Sequence, residues 1–150
     1  ETTHLAVLED NQIVYIDKVD NLQAMKMRSR VGTRGFVHST AVGKSMLAFL
    51  PDDERNQILE RLTLPPLTKN TLTDREEFCK RLEKIRARGY AVDDEENEVG
   101  IRCVGAPLFD HVARVAGAVS VSGWTITMTH ERLPELAPIL QDTCRAISSR

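Results

Sequence analysis

The chain has 150 residues, which fits a single domain with a hydrophobic core of its own. Its 20 basic and 22 acidic side chains give a net charge of −2, and this balance argues against a surface that neutralises nucleic-acid phosphates. No apolar run reaches the ~20 residues that a membrane span needs. Three widely spaced cysteines argue against a disulfide framework or a zinc site and favour a cytoplasmic location.

The start of the chain has the patterns of strands and loops. Apolar runs at 4–8 and 13–16 flank an Asp-Asn pair, which is typical of a hairpin turn. Alternating apolar and basic residues over 25–30 predict a third strand. The Gly-Thr-Arg-Gly stretch at 32–35 predicts a loop.

Three helices are predicted in the middle of the chain. The first begins near residues 39–40 and ends at Pro51, and acidic residues open a second helix over about 52–62. A capping box that starts at Thr73 opens the third helix, which Gly89 ends.

The last part of the chain returns to strands and closes with a helix. Strands are predicted over 90–94, 101–109 and 115–123, a hairpin turn over 110–113 and a helix over about 133–147. Separate blocks of strands and helices indicate an α+β fold with an antiparallel sheet.

Three short motifs each resemble part of a known catalytic or binding signature, but the other residues of that signature are missing. The Gly-Lys-Ser triplet at 43–45 resembles the end of a phosphate-binding loop, but His38 stands where that signature needs glycine. The His-Glu pair at 130–131 begins like a zinc-protease motif, but Pro134 replaces its second histidine. The acidic run 93–96 favours a solvated turn and lacks the spacing of a calcium loop. We therefore predict no catalytic residues, no metal and no cofactor.

Strand parity places several polar groups together, because side chains alternate between the two faces of a strand. Ser120 and Ser122 share one face of the last predicted strand, while its valines, Val115, Val119 and Val121, share the other. Cys103 and Asp93 have comparable positions on the two preceding strands. Such residues form either a pocket for a small polar ligand or a packed layer under a helix. The residue types alone leave both interpretations open.

Three motifs of the chain resemble the effector-binding domain of the IclR family of bacterial transcription regulators. They are His-Ser-Thr-Ala-Val-Gly-Lys-Ser-Met-Leu-Ala at 38–48, the stretch from Gly89 to Pro107, and Val-Ser-Val-Ser-Gly at 119–123. Their order and spacing match the family across essentially the whole chain. The resemblance implies a fold similar to GAF and profilin-like domains, in which helices flank an antiparallel sheet.

The resemblance also implies partners. Effector domains of this family bind small carboxylates such as keto acids, sugar acids or aromatic acids, and a homodimer or homotetramer is expected. Effector binding changes how an N-terminal winged helix-turn-helix domain holds operator DNA. That domain is expected to be absent from residues 1–150, so that this chain itself contacts neither DNA nor a membrane.

Carried over by position, the family's ligand contacts fall on seven residues of this chain: Asp93, Cys103, Ser120, Ser122, Gly43, Val37 and Ile101. The sequence departs from the family at Gly105, where alanine is frequent, and at Trp124, where proline is common. The second departure leaves the mouth of the pocket and the following loop in question.

An effector carboxylate beside an ionised Asp93 would be repelled. We therefore expect the helix start at Gly43 or backbone amides to hold the carboxylate, and Asp93 to accept hydrogen bonds from effector hydroxyls. This arrangement favours a polyhydroxy or keto sugar acid over a simple aromatic acid. Two alternatives stay open at this point: a small cysteine-dependent enzyme with Cys103 as nucleophile, and a module that only oligomerises.

Overall fold

The computed structural model describes residues 1–21 and 27–150. Within them the chain forms, in order, strands β1 (Thr2–Glu9), β2 (Gln12–Val19) and β3 (Arg34–Phe36), helices α1 (Ala41–Phe49), α2 (Asp52–Arg61) and α3 (Arg75–Arg88), strands β4 (Ala91–Asp94), β5 (Ile101–Phe109) and β6 (Val115–Trp124), and helix α4 (Arg132–Ser148). The boundaries predicted for the helices and for the last three strands agree with the structure to within two residues. Among these residues, no helix is both long and apolar enough to cross a membrane.

The six strands of the described residues form one antiparallel sheet in the order β3-β2-β1-β6-β5-β4. This sheet confirms the α+β architecture predicted from the sequence. Strands β1 and β6, which are far apart in the sequence, pair at the centre. The two hairpins β1–β2 and β5–β6 therefore make one continuous surface, with α1 packed on one face and α4 on the other.

The structure departs from the sequence-based prediction between β2 and α1. Residues 22–26 lie outside the described part of the chain, and the prediction of a strand is wrong for 27–30, which have no strand structure. The strand is instead β3, which falls largely in the predicted loop and pairs with residues 12–14 of β2. Gly35 stands opposite Ile13, whose side chain lies over it. The pairing of β3 with β2 therefore makes a strand of residues that the local sequence pattern predicts as a loop.

Another departure is the start of α3. The N-cap is Asp74 rather than Thr73, and its side chain accepts the amide of Glu77 at 2.9 Å. Either residue can cap a helix, and the hydrogen bond shows which of the two does.

Each face of the sheet has its own core. Under α4, Val104 and Val119 pack in one cluster with Leu133 and Leu140, as strand parity predicts. The prediction is wrong for Val115, which packs with the cluster on the other face, because the register between β5 and β6 shifts next to its partner Phe109. On the other face, the apolar side chains of α1 and α3 pack against the first hairpin.

Two glycines let the start of α1 lie directly on neighbouring backbone. A Cβ atom at Gly43 would lie 2.6 Å from the Cα atom and the carbonyl oxygen of Val37. A Cβ atom at Gly105 of β5 would lie 2.8 Å from the carbonyl carbon of Ala41. Since both distances are too short for real contacts, any larger residue forces the backbone to move. The first turn of α1 is therefore fixed against the sheet.

Lys44 on the same helix is completely buried and holds the turn that follows β4. Its Nζ atom donates to Glu96 Oε1 at 2.7 Å and to the carbonyl oxygen of Val92 at 2.5 Å. Glu96 Oε2 in turn accepts the amide of Asp94 at 3.0 Å. Such a pair is costly to break, because either partner alone would be an uncompensated buried charge. The Gly-Lys-Ser triplet at 43–45 therefore has a structural explanation.

We expect Gly43→Ala to lower the free energy of unfolding by about 1–3 kcal/mol, because the new methyl group meets the backbone of Val37. The sign of this change is informative, because replacing glycine with alanine at an exposed helix position would instead raise the free energy of unfolding by roughly 0.5–1 kcal/mol. Urea denaturation followed by circular dichroism measures the difference. The matched control is Gly123→Ala, whose new Cβ would meet side-chain atoms of Glu1 and Met128 at 3.3 Å. A gain in stability at Gly43, or equal losses in both variants, would contradict this packing.

Candidate functional site

A cavity of about 470 Å³ lies between the sheet and the start of α1. One wall is the face of β1, β4, β5 and β6 that carries small and polar side chains, and the first residues of α1 form another. The segments 27–29 and 33–36 line a further side, together with residues 97–98. The volume falls within the range of pockets that hold small molecules.

The sheet register brings the polar groups of this cavity together. Asp93 pairs with Cys103 and Cys103 pairs with Ser122, so that three adjacent strands place these side chains in a row. Ser120 lies two residues away on β6 and stands opposite His4 of β1. All five residues are buried. The polar face predicted from strand parity therefore lies inside the cavity.

Five of the seven residues singled out from the sequence line the cavity: Asp93, Cys103, Ser120, Ser122 and Ile101. The other two, Gly43 and Val37, do not line it, and they pack against each other instead. The amide of Gly43 is also occupied, because Thr40 Oγ1 accepts it at 3.2 Å. The residues at the start of α1 that line the cavity are Thr40, Ala41 and Val42.

His4 is the most informative lining residue that the sequence analysis missed. Its imidazole connects two hydroxyl groups, with Nε2 2.6 Å from Ser29 Oγ and Nδ1 3.4 Å from Ser122 Oγ. Burial, and next the positive charge of Lys18, lower the pKa of His4 to about 4, so that the ring is neutral at pH 7. The alternation of side chains along the first predicted strand could have revealed His4, because it falls on the buried face of β1.

Tyr15, Asn97 and Arg28 also line the cavity, and no sequence motif connects them. The Tyr15 ring lies against His4, with ring centroids 5.0 Å apart, and burial raises the pKa of Tyr15. Asn97 Oδ1 accepts the hydroxyl of Ser39 at 2.6 Å. These groups meet through the tertiary fold alone.

Asp93 is buried in the cavity wall and has an unusual carboxyl group. Its Oδ1 atom accepts the amides of Glu96 at 2.8 Å and of Asn97 at 3.3 Å, which leaves the second carboxyl oxygen for other partners. Burial raises the pKa of Asp93 to about 7, although the nearby charge of Lys44 acts in the opposite direction. At neutral pH this carboxyl group is therefore present in both protonated and ionised forms.

Cys103 lies beside Asp93 and does not have the environment of a reactive thiol. Burial, and next the negative charge of Asp93, raise the pKa of Cys103 well above its ordinary value. A nucleophilic cysteine needs its thiolate form and a base that produces it. This environment does not support the cysteine-dependent enzyme that the sequence left open.

Another part of the cavity wall is electropositive. Ala41 and Val42 are the first two residues of α1, where N–H groups have no partner within the helix and carry the positive end of its dipole. Arg28 lines the same cavity. Among the described residues, no group of three His, Cys, Asp or Glu side chains could hold a metal ion.

The whole chain matches proteins of a known class. A family model described as the C-terminal domain of the bacterial transcriptional regulator IclR matches residues 1–149. The HTH-type transcriptional regulator KdgR of Escherichia coli K12 is 39% identical over 150 residues, which is 100% of this chain and 57% of that protein. The structure of Thermotoga maritima IclR is 45% identical with a TM-score of 0.94, covering 99% of this chain and 60% of that one. The solved C-terminal domain of E. coli KdgR is 37% identical with a TM-score of 0.87, covering 99% of this chain and 85% of that one.

The fold, the cavity and these matches define the class of protein, which is the C-terminal regulatory domain of a bacterial transcription regulator. The chain belongs to the IclR family. Its relatives are regulators, and the domain is not an enzyme. The chain spans between 49% and 59% of the length of the first curated relatives that it matches.

The raised pKa of Asp93 predicts a pH-dependent cost of folding. Because the native carboxyl group titrates near pH 7 and the unfolded one near pH 4, the native state loses stability as the pH rises through this window. Asp93→Asn keeps an oxygen for the two amides and removes the titration. We expect the variant to gain on the order of 2–4 kcal/mol relative to the wild type between pH 4 and pH 8.

Urea denaturation of both proteins across this range measures the effect. His4 titrates in the opposite sense, since its native pKa of about 4 lies below the ordinary value, but its contribution is common to both proteins and cancels in the difference. A stability difference that does not change with pH would show that the pKa of Asp93 is the same in the native and unfolded states, which contradicts the effect of burial.

Proposed function

We propose that this chain is the effector-binding and oligomerisation domain of an IclR-type regulator, and that its effector is a small carboxylate such as a keto acid or a sugar acid. The observation that carries the proposal is a single cavity that combines an electropositive helix start with a row of hydroxyl, thiol and carboxyl groups. In the full-length protein, an N-terminal winged helix-turn-helix domain holds operator DNA and responds to the effector.

The effector carboxylate is proposed to bind at the start of α1. The first-turn amides of Ala41 and Val42 have no partner within the helix, and the helix dipole favours a negative charge there. These amides take the role that the sequence suggested for Gly43, whose amide is bonded to Thr40. Arg28 adds a positive charge to the same cavity.

The rest of the effector is proposed to lie along the polar row. Asp93 and the hydroxyls of Ser120 and Ser122 supply acceptors and donors within one cavity. An aromatic ring in this place would leave buried polar atoms unpaired, at a cost of about 1–3 kcal/mol for each atom. A polyhydroxy or keto acid satisfies them, which is why we favour that class over a simple aromatic acid.

The regulator is proposed to act as a homodimer or homotetramer in the cytoplasm. An effector changes the affinity for DNA only if it binds the competent and incompetent states with different affinities. A 100-fold difference in effector affinity between the two states shifts their balance by about 2.8 kcal/mol. The domain needs no chemistry for this role.

A melting-temperature screen tests the proposal with pyruvate, gluconate and benzoate as representatives of keto, sugar and aromatic acids. A specific effector stabilises the folded state by about 2.7 kcal/mol at 100 times its Kd and does so in a concentration-dependent way. If a broad panel of small carboxylates produces no shift up to millimolar concentrations, the oligomerisation module becomes the better description.

For a sugar acid that passes this screen, we expect Asp93→Asn to weaken binding at least tenfold. The asparagine oxygen keeps the amides of Glu96 and Asn97, and its NH₂ group then replaces the carboxyl oxygen that receives the effector hydroxyl. Isothermal titration calorimetry measures both affinities. Asp94→Asn is the matched control, because the neighbouring carboxylate lies on the other face of β4 and does not line the cavity. Unchanged affinity in Asp93→Asn would refute the assigned role.

A further inference from the structure

One side of the cavity is formed by a segment without regular structure. Residues 27–30, named the strap below, have no strand structure, and residues 27–29 line the cavity. Met27 also packs against the apolar cluster that contains Cys103, in the same cavity. The strap therefore covers the part of the cavity in which the thiol of Cys103 lies.

Two side chains of the first hairpin hold the strap. Lys18 of β2 and His4 of β1 stand directly opposite each other across the two strands. Lys18 Nζ donates to the carbonyl oxygen of Met27 at 3.1 Å and to that of Ser29 at 2.7 Å. His4 Nε2 lies 2.6 Å from Ser29 Oγ. The strap is thus attached to the sheet through side chains, and not through the hydrogen-bond ladder of a strand.

The environment of Lys18 shows that this attachment is specific. Its side chain is only 10% exposed, whereas lysine is seldom buried unless its charge is paired. Asp20 Oδ1 lies 3.2 Å from Nζ and supplies that charge. An ammonium group has three N–H donors, and the two strap carbonyl oxygens together with Asp20 provide three acceptors. The ammonium group therefore fixes the position of the strap.

We propose that the strap is a lid over the cavity and that Lys18 is the residue that keeps the lid closed. The inference rests on the proposed function, because a lid serves a purpose only if the cavity admits an effector. Segments with few backbone hydrogen bonds open at a lower free energy than the core strands of a sheet. In the open state the hydrogen bonds from Lys18 to the strap are broken, and solvent reaches Cys103.

The lid also contacts the proposed effector site. Arg28 of the strap lines the cavity, and its positive charge attracts a carboxylate bound at the start of α1. His4 connects the strap with the polar row, because its Nδ1 atom lies 3.4 Å from Ser122 Oγ. A bound acid consequently favours the closed lid, and the closed lid slows the release of the acid.

Alkylation of Cys103 measures lid opening without any effector. Iodoacetamide modifies a thiol that is reached from solvent, and peptide mass spectrometry reports each cysteine of the regulator separately. We expect Lys18→Met to speed the alkylation of Cys103 by about tenfold or more, because the strap loses two hydrogen bonds from a charged donor. Cys144 is also buried, but it lies in the core under α4 and is expected to keep its wild-type rate.

The matched control is Lys80→Met on α3, which removes a lysine whose side chain is 59% exposed and paired only with neighbouring glutamates of its own helix among the described residues. We expect this variant to leave both alkylation rates unchanged. An unchanged rate at Cys103 in Lys18→Met would overturn the proposal. Equal increases at Cys103 and Cys144 would also overturn it, since the whole domain would then open.

Met27→Ala provides a second test, which decides the question if Lys18→Met does not fold. This variant shortens the apolar cover and keeps the backbone carbonyl oxygens that Lys18 holds. Faster alkylation of Cys103 alone would support the lid, and unchanged alkylation would overturn it.

Release of an effector gives an independent readout. For an acid that passes the melting-temperature screen, we expect dissociation to be about tenfold faster from Lys18→Met than from Lys80→Met in stopped-flow experiments. Equal dissociation rates would overturn the role of the lid in release. If no acid binds, the proposed function fails, whereas the alkylation rates of Cys103 still decide whether Lys18 keeps the strap closed.

Discussion

The buried ion pair between Lys44 and Glu96 is the contact on which the rest of the structure depends. It ties α1 to the turn after β4, and that turn supplies the amides that hold Asp93. Because the pair is buried, removing either partner leaves a charge that the interior cannot solvate. The helix start, the acidic turn and the polar face of the sheet are consequently fixed relative to one another. The cavity exists because these three parts cannot move apart independently.

The same charges set the protonation state of Asp93, and this state bears on the proposal that the pocket binds an acid. Burial favours the protonated form of Asp93, and Glu96 acts in the same direction, whereas Lys44 favours the ionised form. The carboxyl group is consequently balanced near neutral pH rather than fixed as an anion. A carboxylate bound at the start of α1, as proposed, would therefore meet less repulsion from Asp93 than from a carboxyl group that is fully ionised.

The sequence predicted much of the fold, because local patterns determine much of it. Hydrophobic periodicity and capping signals located the helices, and alternation located β4, β5 and β6 together with the polar face of Asp93, Cys103, Ser120 and Ser122. The strand predicted over 25–30 was wrong for residues 27–30, and the loop predicted over 32–35 was wrong for residues 34–35, which lie in β3. Their local pattern carries no information about the pairing of Arg34–Phe36 with the first hairpin.

The sequence by itself determined the α+β order of elements, the face that Asp93, Cys103, Ser120 and Ser122 occupy, and the position of the helix start near the predicted site. The tertiary structure decided which residues surround the cavity. It brought in His4, Tyr15, Asn97 and Arg28, and it placed Gly43 and Val37 against each other instead of in the lining. The physical reason is that periodicity and alternation are set by neighbouring residues. The pairing of β1 with β6 and the close approach of α1 to β5, by contrast, depend on many contacts between residues that are far apart in the chain.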